Sequence, residues 1–210
     1  MSINRQARAQ RYLVCLVLLL FVSGCASIIR PNYTQELVKL RSGNYKLDKD
    51  HAYVNFKIGH LGLSTIVGRF NTVDASLEFD PANIESMKIE GVIEASSIDV
   101  NNEDLEDTLR GGYWFDTDRH PQVAFDSTDV VLGSDGDLQV SGELTVLGVT
   151  KPITLIGRFN GGADNLLTRK YTLGFTGAAT ISRAAFGMDA FEGIIADNVD
   201  IEIHAEFQRL

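Results

Sequence analysis

The chain has 210 residues, of which 44% are hydrophobic, and 28 acidic against 19 basic side chains give a formal net charge of −9. This length and apolar content predict one folded domain with a substantial core. The acidic balance argues against a nucleic-acid-binding protein and against electrostatic docking on anionic lipid, since both need an excess of basic groups.

The N-terminal residues have the layout of a secretory signal. Three arginines precede an apolar run over residues 12–22, which is much shorter than the roughly 20 residues that a membrane-spanning helix needs. The run ends in Val22-Ser23-Gly24-Cys25, which resembles a bacterial lipobox and predicts acylation of the Cys25 thiol with cleavage before it. An ordinary cleaved signal with a chance cysteine is the alternative.

The predicted lipobox divides the chain into three parts. We predict a lipoprotein signal peptide over residues 1–24, a lipidated tether over 25–42 and the folded domain over 43–210. Resemblance to lipoprotein sorting in Gram-negative cells makes Ala26 an indicator of a periplasm-facing lipoprotein of the outer membrane. Membrane attachment would then rest on the lipid anchor at Cys25 alone.

Alternating apolar and polar residues predict strands along most of the domain. A change of apolar parity between Phe125 and Val130 predicts a bulge, and Gly148 is predicted to adopt a left-handed conformation in a hairpin turn. The predicted strands cover residues 45–48 and 53–58 as one strand or a pair, 65–80 as one long or bent strand, 87–95, 122–132, 138–159 as a hairpin, 171–182 and 199–208.

One segment breaks this pattern and predicts a short helix over residues 101–110. Asn101 or Asn102 can cap its start, and Leu105 and Leu109 lie one turn apart. The helix leads directly into the aromatic cluster at residues 113–115.

About eight strands joined by turns too short for parallel crossovers predict an all-β fold, an eight-stranded antiparallel barrel with a short helical insertion. The period alone leaves a sandwich open. Side chains just fill a barrel of this size, or they leave room for one small ligand. Several inward positions are small, and they indicate either such room or bends in the strands. They are Gly91, Ala95, Gly142, Gly157, Gly177 and Ala179.

The sequence offers no constellation typical of an enzyme. The four histidines form no ligand pair at helical spacing, and no nucleophile elbow, phosphate-binding loop or dinucleotide fingerprint is present. Asp116, Asp118 and Asp126 lie near Pro121 and are typical turn formers. We therefore predict that the protein is not an enzyme and that it has no metal site and no cofactor.

Five sequence pieces, in this order and spacing, resemble the YceI family over the whole domain from Gly43 onward. They are GHLGLS at 59–64, GRF at 68–70, FD at 115–116 with HP at 120–121 and FDST at 125–128, GELTV at 142–146 with GVTKP at 148–152, and SR at 182–183 with FGM at 186–188.

This resemblance implies a lipocalin-like barrel that binds a long polyisoprenoid, such as an isoprenoid quinone or a polyprenyl phosphate, in its pore. The helix and the aromatic cluster would cover one end as a lid. Arg183 would contact a polar headgroup, with a structural salt bridge as the alternative. The ligand-binding residues so expected are Val54, Phe56, Ile58, Phe79, Ile93, Trp114, Phe125, Leu144, Phe175, Arg183 and Ile201.

The leading functional prediction is storage or transport of an isoprenoid lipid at the periplasmic side of the cell envelope. A quinone-supplying accessory protein for a membrane cytochrome is the second hypothesis. An enzyme acting on a hydrophobic substrate and a structural envelope lipoprotein with a filled barrel are the others. A homodimer is left open.

Overall fold

The computed structural model describes residues 31–210. The predicted signal peptide, the acylation of Cys25 and the first residues of the predicted tether lie outside this range. None of the helices within residues 31–210 combines the length and the hydrophobicity needed to cross a membrane.

Ten strands and one α-helix make up the domain, with short 3-10 helices at Leu37–Lys39, Ile84–Ser86, Ala95–Ser97 and Ala184–Phe186. The helix is α1 (Glu103–Arg110). The strands are β1 (Gly43–His60), β2 (Ser64–Phe70), β3 (Val73–Phe79), β4 (Lys88–Glu94), β5 (Ile98–Asp99), β6 (Gln122–Leu132), β7 (Asp137–Val146), β8 (Val149–Asn165), β9 (Lys170–Ser182) and β10 (Ile195–Arg209).

Eight of these strands close into an antiparallel barrel. The order around it is β1, β3, β4, β6, β7, β8, β9 and β10, and β10 pairs back onto β1 from Tyr45↔Arg209 to His60↔Ile195. Closure gives each of these eight strands a hydrogen-bonded neighbour on both sides. The predicted fold class, an eight-stranded antiparallel barrel with one short helix, is confirmed.

The first strands resolve two alternatives that the sequence left open. Residues 45–58 belong to one strand, β1, whose register shifts between Leu47 and Ala52. The predicted strand at 65–80 is two strands, interrupted at residues 71–72. Both pair antiparallel with β1: β3 with its first residues and β2 with its last ones.

Two local predictions on β6, β7 and β8 are confirmed. The register of β6 against β7 shifts between Ser127 and Asp129, which is the predicted bulge. Leu147 (φ 53°) and Gly148 (φ 73°) form the two-residue turn of the β7–β8 hairpin, and two left-handed residues match the twist that such a hairpin needs.

The two ends of the barrel differ. We call the end where β1 begins and the β8–β9 turn lies the closed end, and the end where β1 finishes at His60 the mouth. At the closed end the buried residues form one packed core. Its members are Leu40, Tyr45, Leu47, Leu77, Phe79, Ile84, Met87, Val130, Leu138, Val140, Tyr171, Leu173, Ala205 and Phe207.

Part of the predicted tether belongs to this closed end. Thr34 exchanges two backbone hydrogen bonds with Gly162, at 3.0 and 2.8 Å. Leu40 is buried in the core, and Arg41 forms a bidentate ion pair with Asp164. The segment 34–41 therefore packs against the barrel.

Candidate functional site

A cavity of ≈ 270 Å³ occupies the mouth half of the barrel. This volume lies near the lower end of the range for ligand pockets. Neighbouring strands present their inward residues to it in register: Phe56 faces Ile201 across β1 and β10, and Phe125 faces Leu144 across β6 and β7.

The cavity wall is almost entirely apolar. Asn55 and Arg183 are the two polar residues among the 31 that line it. Such a wall offers contacts to hydrocarbon and few hydrogen-bonding partners.

Nine of the eleven residues predicted from the sequence line this cavity, and their contacts with a ligand stay a prediction. They are Val54, Phe56, Ile58, Ile93, Trp114, Phe125, Leu144, Arg183 and Ile201.

Phe79 and Phe175 do not line the cavity, so the expectation that they line the pore is wrong. Phe79 is buried in the closed-end core, edge-on to Tyr45. Phe175 packs between Phe159 and Phe207, at ring distances of 5.3 and 6.0 Å. Alternation identifies the inward face of a strand but not the height of a residue along the barrel axis.

Arg183 borders the cavity, but its guanidinium makes its hydrogen bonds to the backbone and is not free to contact a headgroup. Its guanidinium is 4% exposed and donates hydrogen bonds to the carbonyl oxygens of Met188, Ala190, Ile195 and Ala196, at 2.6–3.1 Å. These four bonds engage four of its five N–H groups. Arg183 therefore shapes the loop between β9 and β10, and among residues 31–210 no carboxylate forms with it the salt bridge that was the alternative.

Two of the small inward residues have different surroundings. A Cβ on Gly91 would meet no atom within 4 Å, and Gly91 lines the cavity. A Cβ on Gly142 would lie 2.5 Å from Cζ of Phe125 and 2.6 Å from the carbonyl oxygen of Asp126. Gly91 thus leaves open space, whereas Gly142 allows close packing by the Phe125 ring.

The predicted helix covers the cavity. Asn102 is its N-cap, and its side chain accepts a hydrogen bond from the backbone N–H of Leu105 at 3.1 Å. Leu105 and Leu109 both line the cavity. The amphipathic spacing of the two leucines therefore provides a lid.

Two aromatic contacts join the lid to the rest of the mouth. Trp114, which follows α1, stacks on Phe191 of the β9–β10 loop with ring centroids 6.0 Å apart and planes 9° apart. Phe115 packs edge-on against Phe70, 5.6 Å away. Phe70 and Phe191 were not predicted as site residues, although both are aromatic residues beside turns.

Further cavity residues were not predicted from the sequence. The inward parity of β8, β9 and β10 could have indicated the first five of them, whereas the last three lie in irregular segments or at a strand start. They are Ile153, Leu155, Ile181, Val199, Ile203, Phe186, Met188 and Ile195.

One polar cluster lies outside the cavity, on the outer surface of β1 and β10. Potential ligand atoms of Asp48, His51 and Glu206 lie within 4.8 Å of one another. Burial raises the pKa of Asp48, but hydrogen bonds from His51 and Gln208 outweigh it and lower that pKa overall. The hydrogen bond to Asp48 raises the pKa of His51. Asp48 and protonated His51 thus form an ion pair, with Glu206 beside them.

The fold and the site define a class: a closed antiparallel barrel with an apolar interior cavity beneath a helical lid. The sequence pattern of the YceI-like domain matches residues 45–207. The chain therefore belongs to the YceI family, as its motifs indicated.

Relatives and solved structures agree with this assignment. A UPF0312 protein of Vibrio parahaemolyticus is 35% identical over 168 residues, which cover 79% of this chain and 87% of the relative. BcnA of Burkholderia cenocepacia has a similar structure (TM-score 0.69, 25% identity, 76% of this chain and 98% of BcnA). A polyisoprenoid binding domain from Saccharophagus degradans, implicated in plant cell wall breakdown, shares the fold at 16% identity (TM-score 0.61, 81% of this chain and 100% of that domain).

Proposed function

We propose that this protein binds a long-chain isoprenoid lipid in the barrel cavity and stores or carries it at the periplasmic side of the cell envelope, anchored through acylated Cys25. The observation that carries the proposal is the almost wholly apolar cavity under a lid of apolar and aromatic side chains. The description of the Saccharophagus degradans domain as polyisoprenoid-binding supports the ligand class.

The energetics favour a hydrocarbon chain. Burial of apolar surface contributes about 25 cal/mol per Å², so each few hundred Å² of prenyl chain enclosed by the wall adds several kcal/mol before ordering costs. No catalytic group is needed for this. Binding, rather than turnover, is accordingly the activity that we propose.

The mouth favours an uncharged headgroup over a phosphate. Arg183 has little donor capacity left inside the cavity, and several exposed carboxylates surround the mouth. They are Glu103 and Asp104 on α1 and Asp189 and Glu192 on the β9–β10 loop. Like charges would repel a phosphate, so a quinone-type lipid is the preferred ligand, and the accessory role beside a membrane cytochrome stays the second candidate.

Mass spectrometry of organic extracts tests the proposal. The full chain is purified gently from a bacterial host, and we expect an isoprenoid lipid in near-stoichiometric amount, with a quinone headgroup. A polyprenyl phosphate would contradict the headgroup preference alone. A protein that carries no isoprenoid and takes up none when it is added would contradict the proposal.

A matched pair of variants tests whether the lipid lies in the cavity. Gly91→Leu puts an isobutyl group into open cavity space, whereas Gly112→Leu adds the same group where a Cβ also meets no atom within 4 Å, outside the cavity lining. We expect Gly91→Leu to lower lipid content at least severalfold and Gly112→Leu to keep it. Equal lipid content in both variants would mean that the lipid binds elsewhere.

A further inference from the structure

The β8–β9 turn at the closed end carries an unusual surface. Leu166 and Leu167 lie side by side at its tip and are 62% and 79% exposed. Arg169 and Lys170 follow them, and within residues 31–210 neither takes part in an ion pair. We call these four residues the closed-end tip.

The closed-end tip has a defined shape. The side-chain oxygen of Asn165 accepts hydrogen bonds from the backbone N–H groups of Leu167 and Thr168, at 2.9 and 3.3 Å. The turn therefore presents its two leucines outward at little additional ordering cost. Apolar side chains beside basic ones suit the boundary between lipid headgroups and acyl chains, particularly where the headgroups are anionic.

The N-terminal segment leads to the same end of the barrel. Its hydrogen bonds to Gly162 and the ion pair between Arg41 and Asp164 hold it against the last residues of β8, just before the turn. From Thr34 back to Cys25 the chain spans at most about 31 Å when it is fully extended. An acyl group on Cys25 is therefore tied to the closed end.

The mouth lies at the limit of this reach. From Gly162 to Val149, where β8 begins at the mouth, β8 runs for roughly 43 Å at about 3.3 Å per residue, and a strand tilt of about 35–45° reduces this to roughly 30–35 Å along the barrel axis. Only a fully extended segment would therefore bring Cys25 level with the mouth. The mouth also carries the exposed carboxylates named above, which an anionic membrane repels. Geometry and charge thus both favour the closed end as the side that faces the anchoring membrane.

We propose that the closed-end tip inserts into the surface of the anchoring membrane, so that the barrel stands with its cavity mouth turned away from that membrane. This inference rests on the acylation of Cys25 within the proposed function, but not on the identity of the cavity ligand. The net negative charge of the whole chain argued against electrostatic docking, yet the local charge of the tip is positive. A lipid leaving the cavity would then be delivered to a partner or a membrane on the far side.

Two labelled variants test this orientation. Leu167→Cys at the closed-end tip and Leu63→Cys at the mouth, where Leu63 is 86% exposed, each receive an environment-sensitive fluorophore. The full acylated chain is reconstituted on vesicles of phosphatidylethanolamine and phosphatidylglycerol. We expect a blue shift and protection from an aqueous quencher at position 167, and neither at position 63.

The other outcomes overturn the inference. A blue shift at position 63 would mean that the mouth faces the anchoring membrane, and no shift at either position would mean that the tip is a surface for a protein partner or for water. A protein that does not float with the vesicles would refute the anchor and this orientation together. Lipid extracted from the same preparation reports separately on the cavity, so a failure of either proposal is recognised independently.

A second pair of variants tests the tip itself. Leu166→Ser combined with Leu167→Ser should remove the protection of a label placed at Thr168→Cys, whereas Leu61→Ser combined with Leu63→Ser at the mouth should not. Both turns are exposed, so the fold is expected to tolerate both changes. Unchanged protection in the first double variant would contradict insertion of the leucines.

Discussion

The closed half and the mouth half of the barrel are built from the same strands but have opposite interiors. β1 places Tyr45, 1% exposed, in the packed closed-end core, and ten residues later it places Asn55 and Phe56 at the wall of an open cavity. Side chains alternate in both halves, although the register shift between Leu47 and Ala52 moves the inward residues of β1 from odd to even positions. The two halves differ in how many side chains extend as far as the barrel axis.

Large side chains and an extra piece of chain fill the closed half. Tyr45, Tyr171 and Phe207 meet there, and Leu40 of the N-terminal segment packs among them. Burial raises the pKa of Tyr45 to about 12, with the neighbouring Tyr171 adding to the effect. In the part of the chain that the structure describes, no comparable segment enters the mouth half, and α1 covers it from outside.

Dense packing and cavity space are therefore separated along the barrel axis. A dense core can hold the barrel closed while the other end leaves apolar side chains without partners. The following predictions test that separation, beginning with the largest effect.

Truncation in the closed half should be far more costly than truncation in the mouth half. Leu173 is 0% exposed within the packed core, so Leu173→Ala should lower the free energy of unfolding by about 3 kcal/mol. Ile93→Ala borders existing cavity space and should cost about 1 kcal/mol. Urea denaturation of both variants measures the difference, and equal losses would show that the halves are packed alike.

The two inward glycines should respond differently to the same added methyl group. Gly142→Ala forces a Cβ against the Phe125 ring and the Asp126 carbonyl, and we expect a loss of about 2 kcal/mol. Gly91→Ala enters open space and should change the free energy of unfolding by less than about 0.5 kcal/mol. Thermal or urea unfolding checks both values; a large loss at Gly91 would mean that this part of the barrel is already full.

Loosening the lid should speed lipid exchange without opening the core. Phe191→Ala removes the stack on Trp114, and aromatic pairs contribute about 0.5–1.5 kcal/mol, so release should become roughly two- to thirteenfold faster. Transfer of a fluorescent isoprenoid to acceptor vesicles measures the rate. Tyr113→Ala is the control, because Tyr113 is 81% exposed beside the same lid, and the same acceleration there would remove the stack as the cause.

The smallest effect concerns the Asp48–His51 pair on the outer surface. The raised pKa of His51 gives stability below about pH 6.5, its unfolded value, and this stability is lost as pH rises through the folded pKa. The lowered pKa of Asp48 gives stability above about pH 3.9, which is lost as pH falls through the folded pKa.

His51→Gln should remove the first of these two slopes and leave the mouth half unaffected. Melting temperatures measured from acid to neutral pH in both proteins test this. Lipid uptake should stay the same, because the pair does not border the cavity. A change in uptake would show that the outer surface and the cavity are coupled.

The local features of this protein could be predicted from its residues. Alternation identified the strands and their inward faces, the parity change in β6 predicted the bulge, and the spacing of Leu105 and Leu109 predicted α1. These features depend on backbone geometry and on neighbours a few residues away. The motifs from Gly59 to Met188 also indicated the family.

Whether an inward residue lies in the closed-end core or at the cavity depends on the tertiary structure. Phe79 and Phe175 alternate as correctly as Phe56, yet they lie in the closed core, because depth along the barrel depends on strand register and tilt. Arg183 was predicted to contact a headgroup, but in the fold its guanidinium donates hydrogen bonds to backbone carbonyl groups at the β9–β10 loop. The sequence of residues 34–41 predicted a tether. Its partners on β8, more than a hundred residues away, show that the segment packs against the closed end of the barrel.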